Sequence, residues 1–502
     1  MIFRDWLKEL DYTLLQGSVD VETEDVIYDS RKAAPGKVFV AMKGIRVDGH
    51  SFIPQVLKAG VRVLVTERPV EEELKNSGLS EEELKQVTVV MVEEGRHALA
   101  LLSAARFDHP AKKLVMIGVT GTKGKTTTTH MIRAILLAAG KKVGMIGTTG
   151  TVIGDVVTPT LNTTPESYEL HQAFAQMVEA GCEYAVMEVS SQGIKMHRTD
   201  GLYFNYAIFT NISPDHIGPG EHADFEEYLY YKTRLLNMCG IGLVNKDDEH
   251  APQIIKAANC ELYTYSEESK EADFVASDIR YVSQPDFVGT EFHISGKYDM
   301  EVRLGIPGLF NVVNALAAVS VCSFLGLDQA RISHALENIR VNGRMEIVYT
   351  SERCTVLVDY AHNAVSMESL LSTLRDYKPK RLVCVFGCGG NRSKDRRYSM
   401  GEIGGKMADL SIITADNSRY EKVEDIIADI RGSIEKTGGK FIEIPDRREA
   451  IRYSILHAQP GDMVAVIGKG HEDYQEIKGV KHHMDERELI ADIIKENPDI
   501  RL

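Results

Sequence analysis

The stretch that most constrains this chain is Val119-Thr-Gly-Thr-Lys-Gly-Lys-Thr126, where a glycine-rich turn joins an apolar run to a helical one. The run Leu114-Val-Met-Ile-Gly-Val119 predicts a buried strand, and the spacing over 127–139 predicts a helix that stops at Gly140. A strand, a short glycine-rich loop and a helix in this register form a unit of an α/β sheet. Backbone N–H groups at such a helix start can cradle phosphate. Gly121, Thr122, Lys123, Gly124 and Thr127 would shape the cradle, Lys125 would neutralise phosphate charge and the Thr126 hydroxyl would help hold Mg²⁺. The loop departs from the standard P-loop, which has glycine where this chain has Val119. A chance Gly-Lys-Thr is the bland alternative, and the strand and helix on either side argue against it.

Three regions separate by pattern: 1–109, 110–342 and 343–502. The first alternates short apolar runs with helical stretches, beginning with a charged amphipathic helix and ending in a helix over 95–107. The second runs from the phosphate loop through repeated strand–helix units to a helix around 311–325, a mostly parallel sheet. The third carries buried-type strands at 355–358, 381–386, 410–413 and 463–467 with helices between them. That is a doubly wound, Rossmann-like layout, with ligands expected at the carboxyl ends of the strands. The fold class is therefore α/β in three domains; 502 residues exceed what one hydrophobic core organises.

Composition excludes some functions. A net charge of −15 argues against a nucleic-acid surface, although a local basic pocket can still serve an anionic substrate. The seven cysteines are scattered with no Cys-x-x-Cys pair, so neither a disulfide framework nor a thiolate zinc site is indicated. No signal peptide and no membrane-spanning apolar run is evident, and the expectation is a cytoplasmic protein without membrane insertion.

Beyond the loop, further segments occur in an order that resembles the Mur ligase family. Glu188-Val-Ser-Ser191 resembles its metal-binding strand end, and Ser213-Pro-Asp-His216 with Tyr231-Lys232 its second metal half-site. Phe310-Asn-Val-Val-Asn-Ala315, Gly343-Arg-Met-Glu346 and Val358-Asp-Tyr-Ala-His362 resemble its nucleotide-binding elements. Asp29-Ser-Arg31 and Asn162-Thr-Thr-Pro-Glu166 look like the uridine and sugar–peptide contacts of the members that add the third peptide residue. Gly387-Cys-Gly-Gly-Asn-Arg392, Asp416-Asn-Ser-Arg419 and Gly468-Lys-Gly-His-Glu-Asp-Tyr474 look like their amino-acid pocket.

The resemblance implies an ATP-dependent ligase of cell-wall precursor synthesis. It would join a diamino acid, best meso-2,6-diaminopimelate, to UDP-N-acetylmuramoyl-L-alanyl-D-glutamate through an acyl phosphate, acting as a monomer. Lys125, Glu188, His216 and Lys232 would be catalytic. Thr126, Glu188, His216 and a carbamylated Lys232 would hold two Mg²⁺ ions. Asn311 and Asn314 would sit near adenine, Arg344 on phosphate and Asp359 on ribose. Ser30, Asn162, Thr163, Thr164, Ser190 and Arg198 would bind the UDP-substrate; Arg392, Asp416, Asn417, Arg419, Gly468 and Glu472 would bind the amino acid. From residues alone, Lys232 reads better as a surface lysine, while Asp359 and His362 read equally as a buried core pair and Asn311 as a helix cap.

The acceptor-facing parts depart from the family pattern. Ser418 stands where diaminopimelate-adding members have proline, so the loop is expected to hold Arg419 less rigidly. Tyr420, Gln192, Met196 and the loop over 217–224 also differ. L-Lysine or another amine is the alternative substrate. A folylpolyglutamate or cyanophycin synthetase is opposed by Asp29-Ser-Arg31 and the 162–166 loop, and a P-loop ATPase switch by the nucleotide elements far from the loop.

Overall fold

The computed structural model describes residues 1–44 and 47–498. They form two compact units, Met1–Tyr265 with Ser320–Cys322, and a second made of 266–319 and 323 onward.

The first unit carries two sheets. One has five strands, β1 (Thr13–Gln16), β2 (Asp25–Ile27), β3 (Lys37–Val40), β4 (Val63–Thr66) and β5 (Thr88–Met91), in the order β1-β5-β4-β3-β2. All neighbours run parallel except β1, which pairs antiparallel with β5. The other sheet comprises β6 (Val115–Thr120), β7 (Val143–Gly147), β8 (Gly150–Ile153), β9 (Val156–Thr158), β10 (Tyr184–Glu188), β11 (Phe204–Phe209), β12 (Cys239–Asn245) and β13 (Glu261–Ser266). Their order is β13-β12-β11-β6-β10-β7-β8-β9, parallel as far as β7 and antiparallel in the β7–β9 meander. Residues of β6 and β10 are nearly all buried because helices cover both faces, which is why these runs are continuously apolar rather than alternating.

The second unit opens with an antiparallel meander, β14 (Phe274–Gln284), β15 (Phe287–Gly296) and β16 (Met300–Leu304). Strand–helix units were expected here. Only Pro285 and Asp286 separate β14 from β15, too little chain for the crossover that a parallel pair needs. A six-stranded sheet follows, built from β17 (Glu346–Thr350), β18 (Cys354–Asp359), β19 (Arg381–Phe386), β20 (Leu410–Ile413), β21 (Phe441–Glu443) and β22 (Asp462–Ile467). Its order, β17-β18-β22-β19-β20-β21, is parallel apart from β17, the doubly wound arrangement expected of this region. A hairpin of β23 (Tyr474–Ile477) and β24 (Val480–His483) completes the unit.

The amino terminus differs from expectation. Its helix is confined to Phe3–Trp6: Leu7 N–H turns back to the Arg4 carbonyl (3.3 Å) and Leu10 N–H to the Leu7 carbonyl (3.1 Å), tight turns that end it, while Phe3 and Arg4 donate their N–H groups to the carbonyls of Val21 and Val19. Phe3 and Trp6 are buried in the core of the five-stranded sheet. No helix among the described residues is long and apolar enough to cross a membrane.

Candidate active site

The phosphate loop leaves β6 at Gly121 (φ +141°) and enters the helix Lys125–Ala138 through Gly124 (φ +88°). Both angles lie where side-chain-bearing residues rarely go. At Gly121 a Cβ would also stand 1.9 Å from the Thr210 hydroxyl, so the loop is glycine for reasons of space as well.

The sheet order places β10 directly beside β6, and Glu188 at the end of β10 reaches the loop. Thr126 Oγ1 donates to the Glu188 carboxylate at 3.0 Å, and Thr148 N donates to Glu188 Oε1 at 2.9 Å. Glu188 is 1% exposed, and a Cβ on Gly147 would lie 2.3 Å from its Oε1. The hydroxyl and carboxylate form a compact set of hard oxygen donors, of the kind suited to Mg²⁺.

Lys232 is 2% exposed, which removes the surface-lysine alternative. It projects from the helix Phe225–Thr233 and donates to the Gly121 carbonyl at 2.7 Å, while Lys125 Nζ donates to the same oxygen at 2.8 Å. Burial, reinforced by the Lys125 charge, holds the Lys232 ammonium well below its ordinary pKa of 10.5. The Tyr228 ring lies 4.7 Å from Lys232 Nζ, and the Tyr228 hydroxyl is 3.1 Å from that of Thr122. His216, by contrast, is exposed and pairs with Glu221 (3.2 Å) and Asp215 (3.8 Å) rather than with Glu188.

The segment 162–166 packs under the same strand end. Thr164 Oγ1 donates to the Glu188 carbonyl (2.9 Å) and accepts from Ser190 N (2.9 Å). Ser190 caps the helix Ser191–Lys195, and Arg198 binds the Thr164 carbonyl (2.9 Å) and the Glu166 carboxylate (2.6 Å). Thr163 Oγ1 is 3.1 Å from Thr148 Oγ1; Asn162 is exposed. Ser30 opens a short 3₁₀ turn capped by Asp29, whose carboxylate is occupied by Arg31 at 2.7 Å. Of the expected UDP-substrate residues, then, the structure gathers Thr163, Thr164, Ser190 and Arg198 around one strand end.

In the second unit, a cavity of about 300 Å³ lies at the carboxyl ends of β19, β20 and β22. All six expected amino-acid residues line it: Arg392, Asp416, Asn417, Arg419, Gly468 and Glu472. Gly390 is required there, since a Cβ would stand 1.9 Å from the Ser418 carbonyl. Arg419 is tied to distant parts of the chain. Its backbone N–H donates to Glu476 O (3.1 Å), its carbonyl accepts from Lys478 N (2.6 Å), and its Nη1 donates to Gly390 O (2.8 Å). Asn417 donates to Glu472 at 2.9 Å, and the fully buried Lys469 ammonium bonds both residues.

Beside the cavity, Asp359 accepts N–H bonds from Met345 and Ala361, each 2.7 Å, and burial raises its carboxyl above the ordinary range. The Arg344 guanidinium lies 4.9 Å from the centre of the Tyr360 ring. Asn311 donates to the Pro307 carbonyl at 2.7 Å and accepts from Asn314 at 3.2 Å within the helix Leu309–Phe324.

Sequence reasoning missed Tyr360 and Arg396, which also line the cavity, and the buried Arg447 beneath it. Arg447 donates to Ala415 O (3.1 Å), Ile467 O (2.8 Å) and Glu486 (2.6 Å). It therefore ties together the chain just before Asp416 and just before Gly468. In sequence it reads as one of two arginines opening a helix, and nothing local marks which of them turns inward.

A loop that closes a parallel sheet over a lysine and a hydroxyl places the chain among the phosphate-handling α/β proteins. Three family models define it further: "Mur ligase family, catalytic domain" over 23–107, "Mur ligase middle domain" over 119–322 and "Mur ligase, glutamate ligase domain" over 343–470. The chain belongs to the Mur ligase family. It is 39% identical over 499 residues to the UDP-N-acetylmuramoyl-L-alanyl-D-glutamate–2,6-diaminopimelate ligase of Caldanaerobacter subterraneus subsp. tengcongensis, covering 98% of this chain and 99% of that protein. The protein of the same name from Clostridium perfringens is 37% identical, with 99% of this chain and all of the other (100%) covered. A solved structure of a ligase of that name matches with TM-score 0.72 and 30% identity over 95% of each chain. The MurF ligase of Thermotoga maritima in complex with ADP shares the fold, with TM-score 0.58 at 18% identity over 96% of this chain and 99% of that one.

Proposed function

We propose that the protein joins meso-2,6-diaminopimelate to UDP-N-acetylmuramoyl-L-alanyl-D-glutamate at the expense of ATP, in cytoplasmic synthesis of peptidoglycan precursors, acting as a monomer. The observation that carries the substrate assignment is the cavity holding Arg392 and Arg419 together with Asp416 and Glu472. A guanidinium grips a carboxylate through paired N–H donors, and carboxylates accept from an ammonium group. The far end of meso-diaminopimelate presents both groups; the far end of lysine presents only the ammonium, which an arginine repels.

Chemistry follows from the need to activate a carboxylate. Its oxygen attacks the γ-phosphorus of ATP, ADP leaves, and the amine then displaces phosphate from the acyl phosphate and loses a proton. Gly121–Thr127 hold the phosphates, and Lys125 offsets the charge that spreads over the transferring group. Thr126, Glu188 and His216 would hold Mg²⁺, which would supply further neutralisation of phosphate charge. Asn311, Asn314, Arg344 and Asp359 serve the nucleotide. Ser30, Asn162, Thr163, Thr164, Ser190 and Arg198 serve the UDP-substrate.

Lys232 takes part as a carbamate. A buried amine with a depressed pKa frees its lone pair at lower pH than an exposed lysine does, so Nζ can attack CO₂ and release one proton. The product is an anionic oxygen donor suited to a second Mg²⁺, which an ammonium is not. We assign the functional modules to 1–109, 110–342 and 343–502, each of which contains one family model, over 23–107, 119–322 and 343–470 respectively.

The test is phosphate release from ATP with UDP-muramoyl dipeptide and either meso-diaminopimelate or L-lysine. Release that requires both dipeptide and meso-diaminopimelate is expected. A higher kcat/KM with lysine would overturn the substrate assignment, and release without any amine would overturn the ligase reading.

A further inference from the structure

Among the described residues, one group of metal-ligating side chains converges outside the phosphate loop and the charged cavity: His97, His197 and Asp200. They come from separate parts of the first unit. His97 lies on the helix Gly95–Arg106, while His197 and Asp200 follow the helix Ser191–Lys195. Asp200 Oδ2 is 2.6 Å from His97 Nδ1 and 2.8 Å from His197 Nδ1, and the three ligand atoms lie within 4.8 Å of one another. The two imidazoles stand edge to face at 6.3 Å, and both present Nδ1 to the same carboxylate oxygen. Burial works against the charge of Asp200, yet the hydrogen bonds from His197 and His97 hold its pKa down at about 2.

Two imidazoles and a carboxylate are a donor set that suits Zn²⁺ and the neighbouring transition ions and leaves a fourth position for water. Zinc bonds of ~2.0–2.1 Å in a tetrahedral centre place ligand atoms ~3.3 Å apart. The two carboxylate–imidazole contacts must therefore open by about 0.5–0.7 Å, which imidazoles 44% and 34% exposed can do by rotation. We propose that His97, His197 and Asp200 bind a borderline divalent cation, Zn²⁺ by its chemistry, which clamps the helix Gly95–Arg106 to the segment that bears Arg198. The protons balance. Each neutral imidazole moves its Nδ1 proton to Nε2 as the ion takes Nδ1, and an imidazolium releases one proton to solvent. Mg²⁺ does not compete, because it demands near-octahedral oxygen coordination.

The test is calorimetric titration of ZnCl₂ into the metal-stripped full chain, with and without excess Mg²⁺, alongside thermal unfolding and Co²⁺ absorption. Expected are a single site untouched by Mg²⁺, a Tm that rises with Zn²⁺ by mass action, and visible absorption bands typical of low-coordinate Co²⁺. His97→Gln and Asp200→Asn, each checked for an unchanged circular dichroism spectrum, should weaken binding by at least ~10-fold. Three results overturn the site: no binding, binding displaced by Mg²⁺, or binding unchanged in both variants. In each case the trio is held by protons alone. If one variant fails to fold, the other still decides.

Discussion

The phosphate loop and the charged cavity solve opposite electrostatic problems. Around the loop, the side chains bond to one another: Thr126 to Glu188, and Lys125 and Lys232 to a single carbonyl. In the cavity, charges of both signs line about 300 Å³ of open space, anchored from behind through Arg419, Asn417 and Lys469. The first arrangement is compact, as befits small ions and phosphate oxygens. The second is an open volume with charges of both signs on its walls. Burial amplifies charge in the first, and shape can be read in the second.

The largest effect should come from the compact site. Lys232→Ala should lower kcat by at least ~10²–10³-fold, with partial recovery on adding short carboxylic acids, whereas Lys125→Ala should be equally inactive without rescue. Steady-state phosphate release checks both. Rescue of neither variant would assign Lys232 a cationic role like that of Lys125.

Arg419→Ala should lower kcat/KM for meso-diaminopimelate by about 10²-fold or more and leave KM for ATP and the UDP-substrate near the parent values. A uniform rise in all three KM values would make the cavity part of the general scaffold and break the contrast.

Arg447→Met, with Glu486→Gln as the milder variant, should raise KM for the amino acid by about 10-fold, the equivalent of ~1.4 kcal/mol, with kcat nearly unchanged. Arg447→Lys should recover part of the loss. A lower Tm with unaltered KM would show that Arg447 only stabilises the sheet.

The smallest effect is on stability. Lys232 is neutral when folded and protonated when unfolded over the range between its depressed folded pKa and its ordinary 10.5. The unfolded chain then binds more protons, so stability rises with pH across that window. In CO₂-free buffer, wild-type stability should climb from neutral pH towards pH ~10 relative to Lys232→Met, as read by denaturant unfolding. Parallel curves would mean that Lys232 carries its charge in the folded state.

Local signals in the sequence were sufficient for the loop, its strand and helix and the doubly wound layout of the third region, whereas the residues of the charged cavity were legible only through motifs that resemble those of the Mur ligase family. Each rests on patterns a few residues long: apolar period, glycine where the backbone turns sharply, a motif at a strand end. The same signals could not tell whether Lys232 faces water or the core, because its helix has tyrosines on several faces and no clear apolar stripe. Nor could they foresee the backbone bonds that tie Arg419 to a hairpin nearly 60 residues on.

What the sequence determined by itself is therefore the class of fold, the family and the type of chemistry, all written in short contiguous segments. Tertiary structure alone decided which amine lost its water, which arginine turned beneath the cavity, and that His97 meets His197 and Asp200. Those outcomes depend on desolvation and on sheet order, which bring together groups about 100 residues apart, and neither quantity exists until the chain has packed.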